Sequence, residues 1–183
     1  MRKHSVIVAT DCDDTLYPFV QPLLKKYNFW YDDNVCFEDI TDWNIHQFLK
    51  PECKNIFDLC TEGFFESLHI PQENKEWLES LNTIADIRFV TAGCSETILW
   101  RSELLKRELP FFKDYMLVKL SEKELFKADF LIDDNEEHTI NTDALAFLIK
   151  KPWNNNQGVE FSRACSRIIQ SILKRGGVIN DIS

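Results

Sequence analysis

The chain lacks an apolar run long enough to cross a membrane, a Cys-x-x-Cys pair, an internal repeat and a low-complexity tract. The first absence removes a membrane-spanning helix from consideration. Arg2-Lys3-His4 followed by apolar residues imitates a signal peptide, but the run ends at Asp11, short of a full hydrophobic region, so no signal peptide is expected. The six cysteines and four histidines are dispersed, which speaks against a zinc site and for reduced thiols in a cytoplasmic protein. Positive charge is also in short supply. With 21 Lys and Arg against 30 Asp and Glu the net charge is −9, so neither a nucleic acid nor an anionic membrane surface is an expected partner. A small anionic substrate stays open, because a bound divalent cation can invert the local field.

What is present suffices for a sizeable core. At 183 residues, 44% apolar with 14 Phe, the chain fits one domain carrying a modest insertion. The most informative run is Val6-Ile7-Val8-Ala9-Thr10, a strand-like stretch that ends in Asp11-Cys12-Asp13-Asp14-Thr15. A buried strand ending in carboxylates puts them where open α/β sheets bind ligands. Three carboxylates so close repel one another, which implies a cation or proton-transfer work. Residues 20–82 contain no convincing buried strand and read as a small helical insertion, with Pro51 at a helix start and Ile56, Leu59 and Cys60 at helical spacing. Further strands are expected at 87–91, 115–118, 129–132 and 144–149. A helix capped by Ser95, with Ile98, Leu99, Leu104 and Leu105 on its apolar face, should follow the second strand. An amphipathic helix over 161–174 should stop at Gly176-Gly177, and Asn154-Asn155-Asn156 reads as a plain turn. Alternating strands and helices predict an α/β fold, a parallel sheet with helices on both faces.

Four polar groups then stand in order along the predicted elements: Asp11/Asp13 with Thr15, Thr91, Lys123, and Asp133-Asp134. Lys127 competes with Lys123 for the third place. This series resembles the four motifs of the haloacid-dehalogenase-like phosphatases, over most of the stretch from Val6 to Asp134, and the resemblance to their nucleotidase branch favours Lys123, ten residues before Asp133. The resemblance implies a Rossmann-like core of residues 1–19 and 83–183 with residues 20–82 as a helical cap. It implies Asp11 as nucleophile and Asp13 as general acid and base. By the same resemblance, Mg²⁺ would sit on the Asp11 carboxylate, the Asp13 backbone carbonyl and Asp134, with Asp133 orienting its waters or Lys123. Thr91 and Lys123 would hold the phosphate, and Asp14 would cap a helix or sit in a turn.

The short aromatic cap further resembles that of the 5′(3′)-deoxyribonucleotidases, including bacterial and phage members. The supporting residues are Phe19, Ile40-Thr41-Asp42-Trp43, Gly63-Phe64-Phe65-Glu66 and Leu131-Ile132-Asp133-Asp134. That likeness implies a (deoxy)nucleoside monophosphate substrate, with Phe19, Trp43 and either Phe64 or Phe65 forming a slot for the base and Thr15 and Ala92 nearby. Ala92 and Ser121 depart from the mammalian members, which carry Ser and Arg there. Three alternatives stand beside this reading: a phosphatase for another small phosphate ester, a receiver domain phosphorylated on Asp, and an inactive binding scaffold. A calcium loop is excluded, because Leu16 stands where its Gly is needed and Pro22 where its Glu is needed. A monomer and a homodimer are equally compatible with the chain.

Overall fold

A computed structural model describes residues 6–120 and 126–180, so Lys123 and Ser121 lie outside the described residues. Five strands form one all-parallel sheet: β1 (Ile7–Thr10), β2 (Asp86–Thr91), β3 (Leu117–Lys119), β4 (Phe130–Asp133) and β5 (Leu145–Leu148). Their order is β3-β2-β1-β4-β5. β1 is central, with Thr10 opposite Phe89 on one side and Ile132 on the other. Both its edges are paired and both its faces covered, which accounts for an apolar run with no polar alternation. Successive side chains divide between two layers. Val8, Phe89, Phe130 and Ile132 enter the large core, whereas Ala9, Val90 and Leu131 enter a smaller one on the opposite face.

The helices are α1 (Val20–Tyr31), α2 (Glu62–Glu66), α3 (Gln72–Asn82), α4 (Ser95–Glu108), α5 (Glu136–Ile140) and α6 (Phe161–Asn180). Leu78 and Leu81 of α3, Leu104 and Leu105 of α4, and Ile168 of α6 join the large core, while α5 lies beside β4 and β5. Among the described residues no helix is long and apolar enough to cross a membrane. The chain builds outward from β1 through β2 to β3, then returns to the other side of β1 for β4 and β5. The switch point therefore lies between β1 and β4, where such sheets bind ligands at the strands' carboxyl ends. A receiver domain has the order 2-1-3-4-5. The observed order rules that alternative out.

Residues 20–82 hold helices and short turns, with 3₁₀ segments at Phe37–Asp39, Ile45–Phe48 and Ile56–Leu59. Ile40, Ile56, Phe64 and Phe65 share one contiguous apolar core with Phe89 and Phe130 of the sheet. The last helix of this stretch, α3, packs against α6 and β2.

Several local expectations need correction. Pro51 lies in a turn and starts no helix; the helical turn begins after Asn55, whose side chain accepts the Phe57 amide at 3.2 Å and so caps it. Cys94, not Ser95, is the N-cap of α4. Leu99 points outward, and Arg101 and Ser102 are buried in its place. That face of α4 meets Asp13 and Asp114, whose carboxylates take the Arg101 guanidinium and the Ser102 hydroxyl, so polar residues are paired where apolar ones were expected. Tyr115 and Met116 form a 3₁₀ turn ahead of β3. α6 continues through Gly176-Gly177 to Asn180, since glycine weakens a helix without ending it.

One ion-pair cluster fastens α4 to the α3 side of the fold. Glu108 forms ion pairs with Lys75 Nζ at 2.6 Å, His69 Nδ1 at 3.0 Å and Arg107 Nε at 3.1 Å. Burial works to raise the Glu108 pKa, but these donors outweigh it and hold the carboxyl at about 2. A depressed carboxyl stabilises the fold fully above the unfolded value of 4.5, and that contribution fades as pH falls towards 2. Glu108→Gln should therefore lose about 1–3 kcal/mol near neutral pH. In urea melts at stepped pH, the gap from wild type should close as the buffer is acidified through that window. A gap that is constant with pH would refute the ionic account.

Candidate active site

Two adjacent parallel strands deliver the carboxylates. The Asp11 amide donates to the Ile132 carbonyl at 2.9 Å, carrying the β1–β4 pairing one residue past the end of β1. Asp133 ends β4 and Asp134 follows it. Oxygens of Asp11, Asp133 and Asp134 lie within 4.8 Å of one another, and all three residues are buried. Carboxylates packed this closely in low dielectric favour uptake of a proton or a cation, and their hard oxygen donors could hold a divalent ion.

The surroundings orient these carboxylates. Asp133 Oδ1 accepts the Asn135 amide at 2.9 Å, and its Oδ2 lies 3.2 Å from His138 Nδ1. Asp134 accepts the Thr15 hydroxyl on Oδ1 and the Trp153 indole N–H on Oδ2, each at 3.1 Å. The Asn154 side chain donates to the backbone carbonyls of Asp134 and Ile149 at 3.1 and 2.7 Å. The Asn154–Asn156 stretch is thus more than a turn. Asn155 and Asn156 do take the left-handed backbone that a turn needs, but buried Asn154 ties the loops after β4 and β5 together.

Asp13 is held from two directions. Tyr17 donates its hydroxyl to Oδ1 at 2.8 Å, while Arg101 gives Nε to Oδ1 at 3.1 Å and Nη2 to Oδ2. Burial, then the Asp13 charge, pushes the Tyr17 hydroxyl well above its usual pKa, so it stays a donor. Asp14 has φ of 57° and turns its carboxylate to the amides of Phe19 and Val20 at 3.1 and 2.9 Å, capping the start of α1. Burial raises its pKa to about 6 despite those bonds.

Asp11, Asp13, Thr91, Ala92 and Asp134 open into one cavity of about 770 Å³, of a size suited to a drug-sized or nucleotide-sized ligand. Residues 40–65 add Trp43, Phe57 and Phe65 to its lining, the turn after β2 and α4 add Gly93, Thr97 and Arg101, and Phe19 and Trp153 stand beside them. The chain matches a family model over residues 4–172, that of the cytosolic type C 5′ nucleotidase, deoxy (pyrimidine). It is 33% identical over 130 residues to a 5′(3′)-deoxyribonucleotidase of Clostridium acetobutylicum, covering 70% of this chain and 72% of that one. It is 21% identical over 153 residues to 5′(3′)-deoxyribonucleotidases of Bacillus subtilis and of Bacillus phage SPbeta, covering 82% of this chain and 88% of theirs. The chain belongs to the deoxyribonucleotidase family.

The residues singled out from the sequence fall at different places in this deoxyribonucleotidase fold. Phe19, Trp43 and Phe65 line the cavity, as do Thr91 and Ala92. Phe64 instead packs edge-on against Phe19, with ring centroids 5.4 Å apart, and does not line it. Thr15 lines a separate cavity of about 210 Å³, and its hydroxyl serves Asp134. Trp43 is 59% exposed and meets Trp153 edge-on at 6.2 Å. Sequence reading missed Arg101, Tyr17, Trp153 and Phe57. Tyr17 sits four residues after Asp13, so its reach was available from spacing; the other three are far from any motif.

Divalent ion binding should be visible as stability. If a divalent ion is held among Asp11, Asp133 and Asp134, saturating Mg²⁺ or Mn²⁺ should stabilise the protein by about 2–4 kcal/mol at 100–1,000 times Kd. The melting temperature should rise with ion concentration in the wild type and stay flat in Asp134→Asn. An equal rise in both proteins would show that the ion binds elsewhere.

Proposed function

We propose that this enzyme hydrolyses phosphate monoesters of (deoxy)nucleosides through an aspartyl-phosphate on Asp11, with Mg²⁺ bound. The observation that carries the reading is the placement of Asp11 beside Asp134 in a cavity that Phe19, Trp43, Phe57, Phe65 and Trp153 also line. The ion would be held by the side chains of Asp11 and Asp134 and the Asp13 backbone carbonyl, with Asp133 supporting it. When bound it supplies charge neutralisation between the phosphate dianion and the attacking carboxylate.

The remaining work falls to the chain's own residues. An Asp11 oxygen attacks phosphorus as the ester P–O bond breaks, and Asp13 protonates the departing alkoxide. Asp13 then takes a proton from the water that attacks the phosphorus of the aspartyl-phosphate, and inorganic phosphate and free Asp11 result. Thr91 and Lys123 hold the phosphoryl oxygens. Phe19, Trp43 and Phe65 stack on the base, a contact worth about 1–3 kcal/mol per base and enough to favour nucleotides over aliphatic phosphates. In this reading residues 20–82 act as the cap that selects the leaving group, in a protein of a reducing cytoplasmic compartment.

The test is phosphate release, with Mg²⁺, from deoxyribo- and ribonucleoside monophosphates beside sugar phosphates and phosphoserine. Nucleotides should be preferred, and Asp11→Asn should lower turnover by about 1,000-fold or more. Mutant-sensitive turnover that favours non-nucleotide esters would keep the chemistry and discard the nucleotidase. Turnover that survives Asp11→Asn would discard the chemistry.

A further inference from the structure

Arg101 is the cavity's unfinished contact. It is 6% exposed and gives Nε and Nη2 to Asp13, yet its buried Nη1 has no hydrogen-bond partner. A buried cationic donor left unsatisfied is costly, which points to a missing acceptor. The guanidinium is fixed in place on several sides. Its Cζ lies 5.1 Å from the Phe65 ring centroid and 5.8 Å from that of Phe19. On another side it meets the turn after Thr91. A Cβ added to Gly93 would fall 3.0 Å from Nη1 and 2.5 Å from the Thr97 hydroxyl oxygen, at a φ of +144° that only glycine adopts readily. Nη1 therefore rests against the same turn that carries Thr91 and Ala92 into the cavity. Among the described residues, Arg101 is the one lysine or arginine lining a cavity that also holds Asp11, Asp13 and Asp134.

We infer that Arg101 is a substrate-binding residue, with Nη1 donating to a phosphoryl oxygen seated beside the Thr91–Gly93 turn. The inference rests on the phosphomonoesterase reading above and adds a residue to it. One guanidinium would then serve two tasks. Its Nε and Nη2 edge fixes the Asp13 carboxylate on the leaving-group side, and Nη1 pulls the phosphoryl group into register with it. The planar fork sets the distance between those partners, which a lysine cannot do.

Inorganic phosphate is the probe, titrated into the Mg²⁺-loaded protein by calorimetry and used as a competitive inhibitor of ester hydrolysis. Arg101→Gln should weaken phosphate binding by about ten-fold or more, and Arg101→Lys should recover only part of that loss. Tyr17→Phe, which removes the other Asp13 donor, should leave phosphate affinity within about two-fold. Should Arg101→Gln fold poorly, added guanidinium ion should restore phosphate affinity to Arg101→Ala, and no restoration would count against the proposal. Wild-type phosphate affinity in Arg101→Gln, with a fall in kcat matching that of Tyr17→Phe, would overturn it and leave Arg101 as a positioning residue for Asp13. A wild-type protein that hydrolyses esters normally in that case keeps the phosphomonoesterase reading; one that neither binds phosphate nor hydrolyses any ester overturns both.

Discussion

Everything in this site follows from β1 and β4 being neighbours that run the same way. Parallel pairing puts the carboxyl ends of both strands at one edge, where β4 ends in Asp133 and Asp11 directly follows β1. The sheet therefore forces Asp11, Asp133 and Asp134 within 4.8 Å of one another whether or not the side chains would choose it. The energy for this comes from elsewhere: Val8, Ala9, Leu131 and Ile132 are fully or almost fully buried, and their packing fixes the backbone that holds the charges together. A site stressed in this way favours binding of a cation, and beside one an anionic ester can approach a chain of net charge −9.

The region between the first two strands and the sheet are joined at more than their shared core. Trp153 donates to Asp134, and its ring meets both Phe37 and Trp43, at 5.5 and 6.2 Å. Elsewhere in the lining, Arg101 grips Asp13 and packs against Phe19 and Phe65. In each case an aromatic surface is coupled to one of the carboxylates. The position of the aromatic rings and the orientation of the acidic groups are set together.

The sheet was legible in the sequence because strand length, β-branching and a polar stop coincide in Val6–Asp11 and again before Asp133. The strand order was not, since pairing partners leave no local trace. Helix α4 shows why part of the site was hidden. A 3.6-residue pattern assigns an arginine between Trp100 and Ser102 to solvent, and only Asp13, 88 residues away in the chain, makes burial of Arg101 tolerable. Trp153 was hidden for a different reason. It stands in a 3₁₀ turn with no periodicity to read, and its partner Asp134 had already been accounted for as a strand end. Phe64 and Phe65 are adjacent and chemically identical, and both rings meet Phe19, so the resolution between them required the α2 geometry that leaves only Phe65 on the cavity wall.

The indole of Trp153 also gives the molecule an optical handle. Its N–H ends on a carboxylate of the acidic cluster, and its ring stands edge-on to a second indole at 6.2 Å. Two indoles at that separation couple as an exciton, and a tryptophan hydrogen-bonded to a carboxylate shifts its emission when the carboxylate is drawn elsewhere. With Trp30, Trp77 and Trp100 replaced by Phe, circular dichroism of the remaining pair would report on Trp43 and the emission colour of Trp153 on Asp134.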